Sequence, residues 1–232
     1  MSHDYRRDFR ASTVAALLLA GGALGWPAVA HAQTSGSLTL ASAYDARGVV
    51  LSSRPVAQLR VEHDTDSGWY AGGFASPVML GRAPTQAELI VYGGFAHQLA
   101  SGLSWDAGVS RTSFLRDTRY SYSEIYAGLA TDNASARLFL SPDYFGGGRS
   151  AYLDLNASHP LNDKLRLTAH AGLKHAFGAY PGDGRDRVDL RAGLALGLDR
   201  WTLQASVGSL QKSRGYEYAR ARQFLFSASM HF

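Results

Sequence analysis

Residues 224–232 read Phe224-Leu225-Phe226-Ser227-Ala228-Ser229-Met230-His231-Phe232. From Phe224 onward every second residue is apolar, and most of these are aromatic or Met. Period-two alternation puts alternate side chains on opposite faces of a strand. One face is therefore apolar, and Ser227, Ser229 and His231 lie on the other. A strand that ends a chain would fray in an ordinary sheet. In a closed barrel it has a partner on each side, with lipid on one face and a polar interior on the other. The terminal Phe232 also has the form of the signal that such barrels present to the outer-membrane insertion machinery.

The same alternation recurs through the chain. Leu103, Trp105, Ala107 and Val109 alternate with Ser104, Asp106, Gly108 and Ser110. Leu165 to Leu173 alternates with Arg166, Thr168, His170 and Gly172, and Val188 to Leu196 with Asp189, Arg191, Gly193 and Ala195. The reading predicts twelve strands, at 36–44, 54–63, 68–76, 87–97, 103–111, 121–131, 134–141, 150–158, 164–175, 186–198, 201–209 and 222–232. Each is about as long as a tilted strand needs to cross a bilayer core. The third is ambiguous in phase, because Trp69 and Tyr70 are both aromatic and Gly72 and Gly73 are adjacent.

The connections alternate between short and long. Asp64–Ser67, Ala100–Gly102, Asp132-Asn133, His159–Asp163 and Asp199-Arg200 are short. The others are longer and rich in Gly, Pro and charge, as in Pro142–Gly148 and Pro181–Asp186. Short periplasmic turns, longer external loops and an even strand count are the layout of an outer-membrane barrel. The fold class expected is all-β, a transmembrane antiparallel up-and-down β-barrel of about 12 strands. Phe95, Trp105, Trp201 and Phe232 fall on apolar faces beside short turns or the C-terminus, where an inner membrane girdle belongs. Tyr44, Tyr120, Tyr122, Tyr144 and Tyr180 sit near the long-loop ends, which predicts an outer girdle.

The first 32 residues have the anatomy of a secretory signal peptide. Arg6, Arg7 and Arg10 precede an apolar stretch, Ala11 to Leu24, and Ala30-His31-Ala32 has the form of a cleavage site. Cleavage near Ala32 leaves a barrel domain over 33–232 and implies export to a Gram-negative outer membrane. The net charge of +4 is too mild to imply a nucleic-acid partner. The chain has no Cys, hence no disulfide framework and no thiol chemistry. The partners expected are outer-membrane lipid and lipopolysaccharide, the barrel insertion machinery and small polar solutes.

Nothing in the sequence has metal-ligand spacing. His170 and His175 are five apart and face opposite sides of a strand. There is no Gly-x-Ser-x-Gly elbow, and Gly146-Gly147-Gly148 is a loop device without a following helix. No metal, cofactor or catalytic residue is expected. The phasing instead sends charge inward. Arg60, Glu62, Glu88, Glu124, Arg137 and Asp154 come from the second to eighth strands. Arg166, His170, Lys174, Arg187, Asp189 and Arg191 come from the ninth and tenth. Arg or Lys facing lipid at the midplane costs about 2–4 kcal/mol, and a wet lumen removes that cost. These residues are candidate pore-lining groups, and Arg47, followed by a flexible Gly48, is a candidate constriction residue. A structural or adhesion barrel with a closed lumen and a rim-site lipid-modifying enzyme are the alternative readings.

Tyr44-Asp45-Ala46-Arg47-Gly48-Val49 resembles the opening block of the TorF-type porin family of bacterial outer-membrane barrels. Ser67–Gly72, Glu88-Leu89 with Tyr92-Gly93, Glu124–Gly128, Tyr152–Leu155 and His170–Gly172 resemble later blocks, in order, over nearly all of 36–232. The resemblance implies an outer-membrane barrel and adds little about the solute. One departure is visible. Where that family has a Tyr-rich stretch, this chain has Val109–Phe114, which leaves the third external loop open.

Overall fold

The computed structural model describes residues 33–79, 85–177, 186–211 and 220–232. The expected leader over 1–32, the expected cleavage site, Tyr180 and most of the last two external loops lie outside the described residues.

Among the described residues fourteen strands form, and twelve of them close one antiparallel barrel. Strand β1 (Gln33–Ala41) pairs on one side with β4 (Val56–Asp64) and on the other with β14 (Arg220–His231). Between them run β5 (Trp69–Val78), β6 (Gln86–Gln98), β7 (Ser104–Phe114), β8 (Tyr122–Ala130) and β9 (Ala134–Ser141). Then follow β10 (Ser150–Pro160), β11 (Leu165–Ala176), β12 (Asp186–Leu198) and β13 (Trp201–Gln211). The remaining two, β2 (Tyr44–Ala46) and β3 (Val49–Ser52), make a small hairpin of their own inside the first external loop.

The seam is closed by main chain. The Gly36 N–H donates to Phe232 O at 2.9 Å, and the Phe232 N–H returns a bond to Gly36 O at 3.0 Å. A Cβ on Gly36 would come within 2.5 Å of the Phe232 ring, so that ring lies on a position that has to be glycine.

Register fixes the faces. Gln58, Arg60 and Glu62 face the same way as Thr39, Ser37 and Ser35 opposite them. The other face carries Val91, Val109, Ile125, Leu40 and Phe226, each about 60% exposed, an apolar exterior for which lipid is the solvent. At the short-turn end Trp69, Phe95 and Trp105 stack in a row with ring centroids 5.4 and 5.8 Å apart. Trp201 and Phe232 stand at the same end. This row settles the phase of the third barrel strand: Trp69 faces outward and Tyr70 inward.

Three expectations are corrected. The first strand runs 33–41 rather than 36–44, so Tyr44 is not its last residue. Tyr44, Tyr122 and Tyr144 do not form an outer girdle, because all three are buried inside the barrel mouth. The Tyr44 hydroxyl donates to Glu88 there, and the Tyr122 and Tyr144 rings pack on each other with centroids 4.7 Å apart. The fifth expected strand, 103–111, runs on to Phe114, so Thr112–Phe114 is the outer end of β7 and the third external loop is the turn of 3-10 helix at Thr118–Tyr120 with its flanks.

Candidate channel lumen and its inward-folded hairpin

The first external loop turns into the barrel. Arg47 and Gly48 have φ of 49° and 73°, the two positive values that a tight hairpin turn between twisted strands requires. Glycine takes the second position without strain. A Cβ there would also meet the Arg187 side chain at 2.7 Å, so the turn reaches the β12 wall.

Three side chains of this hairpin are held by three different strands. The Tyr44 hydroxyl donates to Glu88 on β6 at 2.8 Å. Arg47 makes a two-pronged pair with Glu124 on β8, at 2.5 and 2.8 Å. Arg191 on β12 donates to Asp45 at 2.5 Å. The Arg47 guanidinium also lies over the rings of Phe139 at 4.4 Å and Tyr152 at 4.8 Å. The next-but-two external loop folds in as well and lays Tyr144 over the same cation at 5.7 Å. Paired, caged and only 7% exposed, Arg47 is the hub of the plug. The loop is tied to the rim at both ends, by Ser42 to Phe226 and by Leu51 to Met79.

Around the hairpin the two halves of the wall differ. From the end of β4 to β10 the large and charged inward residues are sealed. Glu62 accepts from Tyr92 at 2.6 Å. Asp106 lies 2.8 Å from Arg137 and 3.0 Å from the Tyr70 hydroxyl, which also contacts Tyr126 at 2.8 Å. Four tyrosines on this side reach over inward glycines, with the hydroxyl end of each ring where a Cβ would sit: Tyr92 over Gly72, Tyr70 over Gly94, Tyr126 over Gly108 and Tyr152 over Gly172. Beside the charged side chains of β11 and β12, small polar residues line the interior from β11 to β14 and β1: Thr168, Thr202, Gln204, Ser206, Ser227, Ser229, Ser37 and Thr39. All of these remain partly exposed, although they face the interior. Solvent therefore reaches the lumen along one side of the barrel and not the other.

The structure places all twelve strand-borne candidates on the inward face. It divides them by partner. Glu62, Glu88, Glu124 and Arg137 are sealed in the pairs just described. His170 is set between carboxylates, with Nε2 2.7 Å from Asp189 and Nδ1 3.3 Å from Asp154 and 3.0 Å from Asn156. Lys174 is buried with Nζ 4.8 Å from the Tyr144 ring, and it stands directly across from Arg187. Arg166 touches Asn133 and Ser158 at the short-turn end, and Arg60 lies 5.7 Å from the Phe74 ring. Arg191 holds Asp45. Among the described residues no group of acidic, His or Cys side chains could hold a metal ion.

Sequence reasoning missed Tyr44, Asp45 and Asp106 as partners, and the tyrosine layer altogether. Asp106 and Tyr126 were legible from strand phase; Asp45 was not, because nothing in a loop sequence says that it folds inward.

A family described as "Bacterial protein of unknown function (Gcw_chp)" matches residues 27–228. The chain belongs to the Gcw_chp family. No curated protein matches it in sequence. Among solved structures this Gcw_chp chain is similar to the NanC porin, with a TM-score of 0.59 at 12% identity over 85% of this chain and 99% of that one. It is similar to the KdgM porin in complex with disordered oligogalacturonate, with 0.55 at 12% over 86% and 98%. It is also similar to an outer membrane channel from Pseudomonas putida F1, with 0.56 at 13% over 91% and 98%. At these identities the likeness speaks to the fold that Gcw_chp shares with them.

Proposed function

We propose that the protein is a narrow outer-membrane channel for small hydrophilic solutes, a TorF-type porin in the sense of the blocks quoted above. The observation that carries this reading is the asymmetry of the lumen. A plug held by ion pairs fills one side, and a polar, solvent-reached wall of β11 to β14 and β1 is left along the other. A barrel built only for stability has no reason to leave one wall lined by Ser, Thr and Gln. Passage runs down that wall, past the hairpin turn. Arg166, Lys174, Arg187 and Arg191, all on β11 and β12, set a mild preference for anions there, tempered by Asp189. Two porins and one outer membrane channel of similar fold support the class, and one of those porins was solved in complex with disordered oligogalacturonate.

The test is conductance in a planar bilayer. The wild type should conduct in small steps. Arg47→Ala leaves Glu124 buried without its cation, a loss of about 3–5 kcal/mol at that contact. The hairpin should then leave its seat and the step size at least roughly double. Arg166→Glu should move the reversal potential under a salt gradient toward cations. If wild type and Arg47→Ala are both silent, the closed structural barrel is the better reading. If both conduct alike, the hairpin does not border the passage.

A further inference from the structure

The outer face of a barrel is convex, and a lipid tail on it usually meets nothing specific. Among the described residues two grooves depart from this, an apolar one among Leu40, Leu194, Leu203 and Phe226 and a second one bordered by charge. Toward the external end of β6 to β10, Gly93 and Ser123 leave a groove among Val91, Val109, Ile125 and Leu140. Two guanidinium groups border it, Arg111 and Arg149, and both are exposed.

Arg111 is on the lipid side of β7. Its cross-strand neighbours are Val91 and Ser123, and it lies three residues, about 10 Å, short of the strand's outer end. Its hydrogen bond runs sideways, to the Ser123 hydroxyl at 3.2 Å. Arg149 has no side-chain hydrogen bond among the described residues. The nearby carboxylates are engaged elsewhere: Asp117 with Arg119, Asp143 with the Gly148 N–H, and Asp186 with His175. An arginine facing lipid is costly unless an anion meets it, and here the described protein supplies none.

The guanidinium fork matches a phosphate with two parallel hydrogen bonds. β7 and the start of β10 are three strand spacings apart, roughly 14 Å, too far for one phosphate to serve both. Below the pair the groove is apolar and suits acyl chains. We propose that Arg111 and Arg149 form a binding site for an outer-leaflet glycolipid that carries a phosphate at either end of an acylated disaccharide, the chemistry of lipid A. Each arginine takes one phosphate, and acyl chains lie along Val91, Val109 and Ile125. The site rests on the membrane-spanning fold and its orientation, and is independent of whether the barrel conducts.

The full chain, purified in detergent, is titrated with bis-phosphorylated lipid A, with its dephosphorylated form and with phosphatidylethanolamine, and the adducts are read by native mass spectrometry. The bis-phosphorylated form should bind at least about tenfold more tightly than either of the others. Arg111→Gln with Arg149→Gln should erase that margin, and the double Lys variant should keep part of it. Neither arginine packs in the interior, so heat-modifiable gel mobility should be unchanged in both variants. Equal binding of phosphorylated and dephosphorylated lipid by the wild type overturns the proposal, whatever the variants do. So does full retention by the Gln variant, or displacement of the lipid by inorganic phosphate alone at a comparable concentration.

Discussion

Gly72, Gly94, Gly108 and Gly172 each leave room for a tyrosine on the inner wall, and this arrangement accounts for four of the chain's 25 glycines. Gly108 is the sharpest case. It stands directly across from Tyr126, and a Cβ there would collide with the ring and come within 2.5 Å of the Gly93 carbonyl. The ring covers the strand that glycine would otherwise weaken. Gly108→Val should therefore displace Tyr126 and cost about 1–3 kcal/mol by overpacking. The measurement is the temperature at which the folded gel band converts to the unfolded one. An unchanged conversion temperature would show that the tyrosine layer yields freely. The same layer marks the limit of sequence reading at this scale. Alternation can send Tyr92, Tyr126 and Tyr152 inward but leaves Tyr70 ambiguous, and only the cross-strand register reveals that each lies over a glycine.

The hairpin β2–β3 is the element on which the functional reading turns, and it was the least legible. Its sequence, Tyr44–Ser52, has turn chemistry but no period long enough to phase, and its partners are far along the chain. Barrel strands with long alternation were recovered closely: 134–141 and 186–198 agree end to end with Ala134–Ser141 and Asp186–Leu198. The first strand slipped by three residues because Tyr44 continues its apolar pattern. Docking of this element has a sign with pH. Burial pushes the Asp45 carboxyl above the ordinary carboxylate range, against the pull of Arg191, with Asp189 adding to the rise and His170 opposing it. A group whose pKa is higher docked than free favours the docked state below that pKa and disfavours it as pH rises through it. Conductance should accordingly fall as the solution is taken from neutral to mildly acidic. Asp45→Asn should lose part of that dependence; a pH profile identical in wild type and Asp45→Asn would remove Asp45 from the account.

For the whole molecule, the alternation of short turns and long loops predicts which end meets the outside. Arg116, Arg119 and Arg149 are exposed at the long-loop end, and Lys164 and Arg200 at the short-turn end. Trypsin added to intact cells should cut at the first three positions, if it cuts at all, and spare the last two. Cleavage only at Lys164 or Arg200 would invert the orientation and move the phosphate site to the wrong leaflet. Fold class, strand count and facing were readable at this scale because each is a repeated pattern, and a repeat survives errors in single strands. The width of the passage was not, since it depends on one loop.

The contacts that hold the hairpin also say when it can take its place. Tyr44 waits for a residue 44 positions downstream, Arg47 for one 77 downstream and Asp45 for one 146 downstream. The segment is made first among these and has nowhere to dock until β6, β8 and β12 stand in their final register. A strand slipped by one residue would turn Glu88, Glu124 or Arg191 outward and leave a vacant anchor. Seating of the hairpin therefore depends on the register of three strands at once, and a barrel paired in the wrong register leaves it without its full set of anchors.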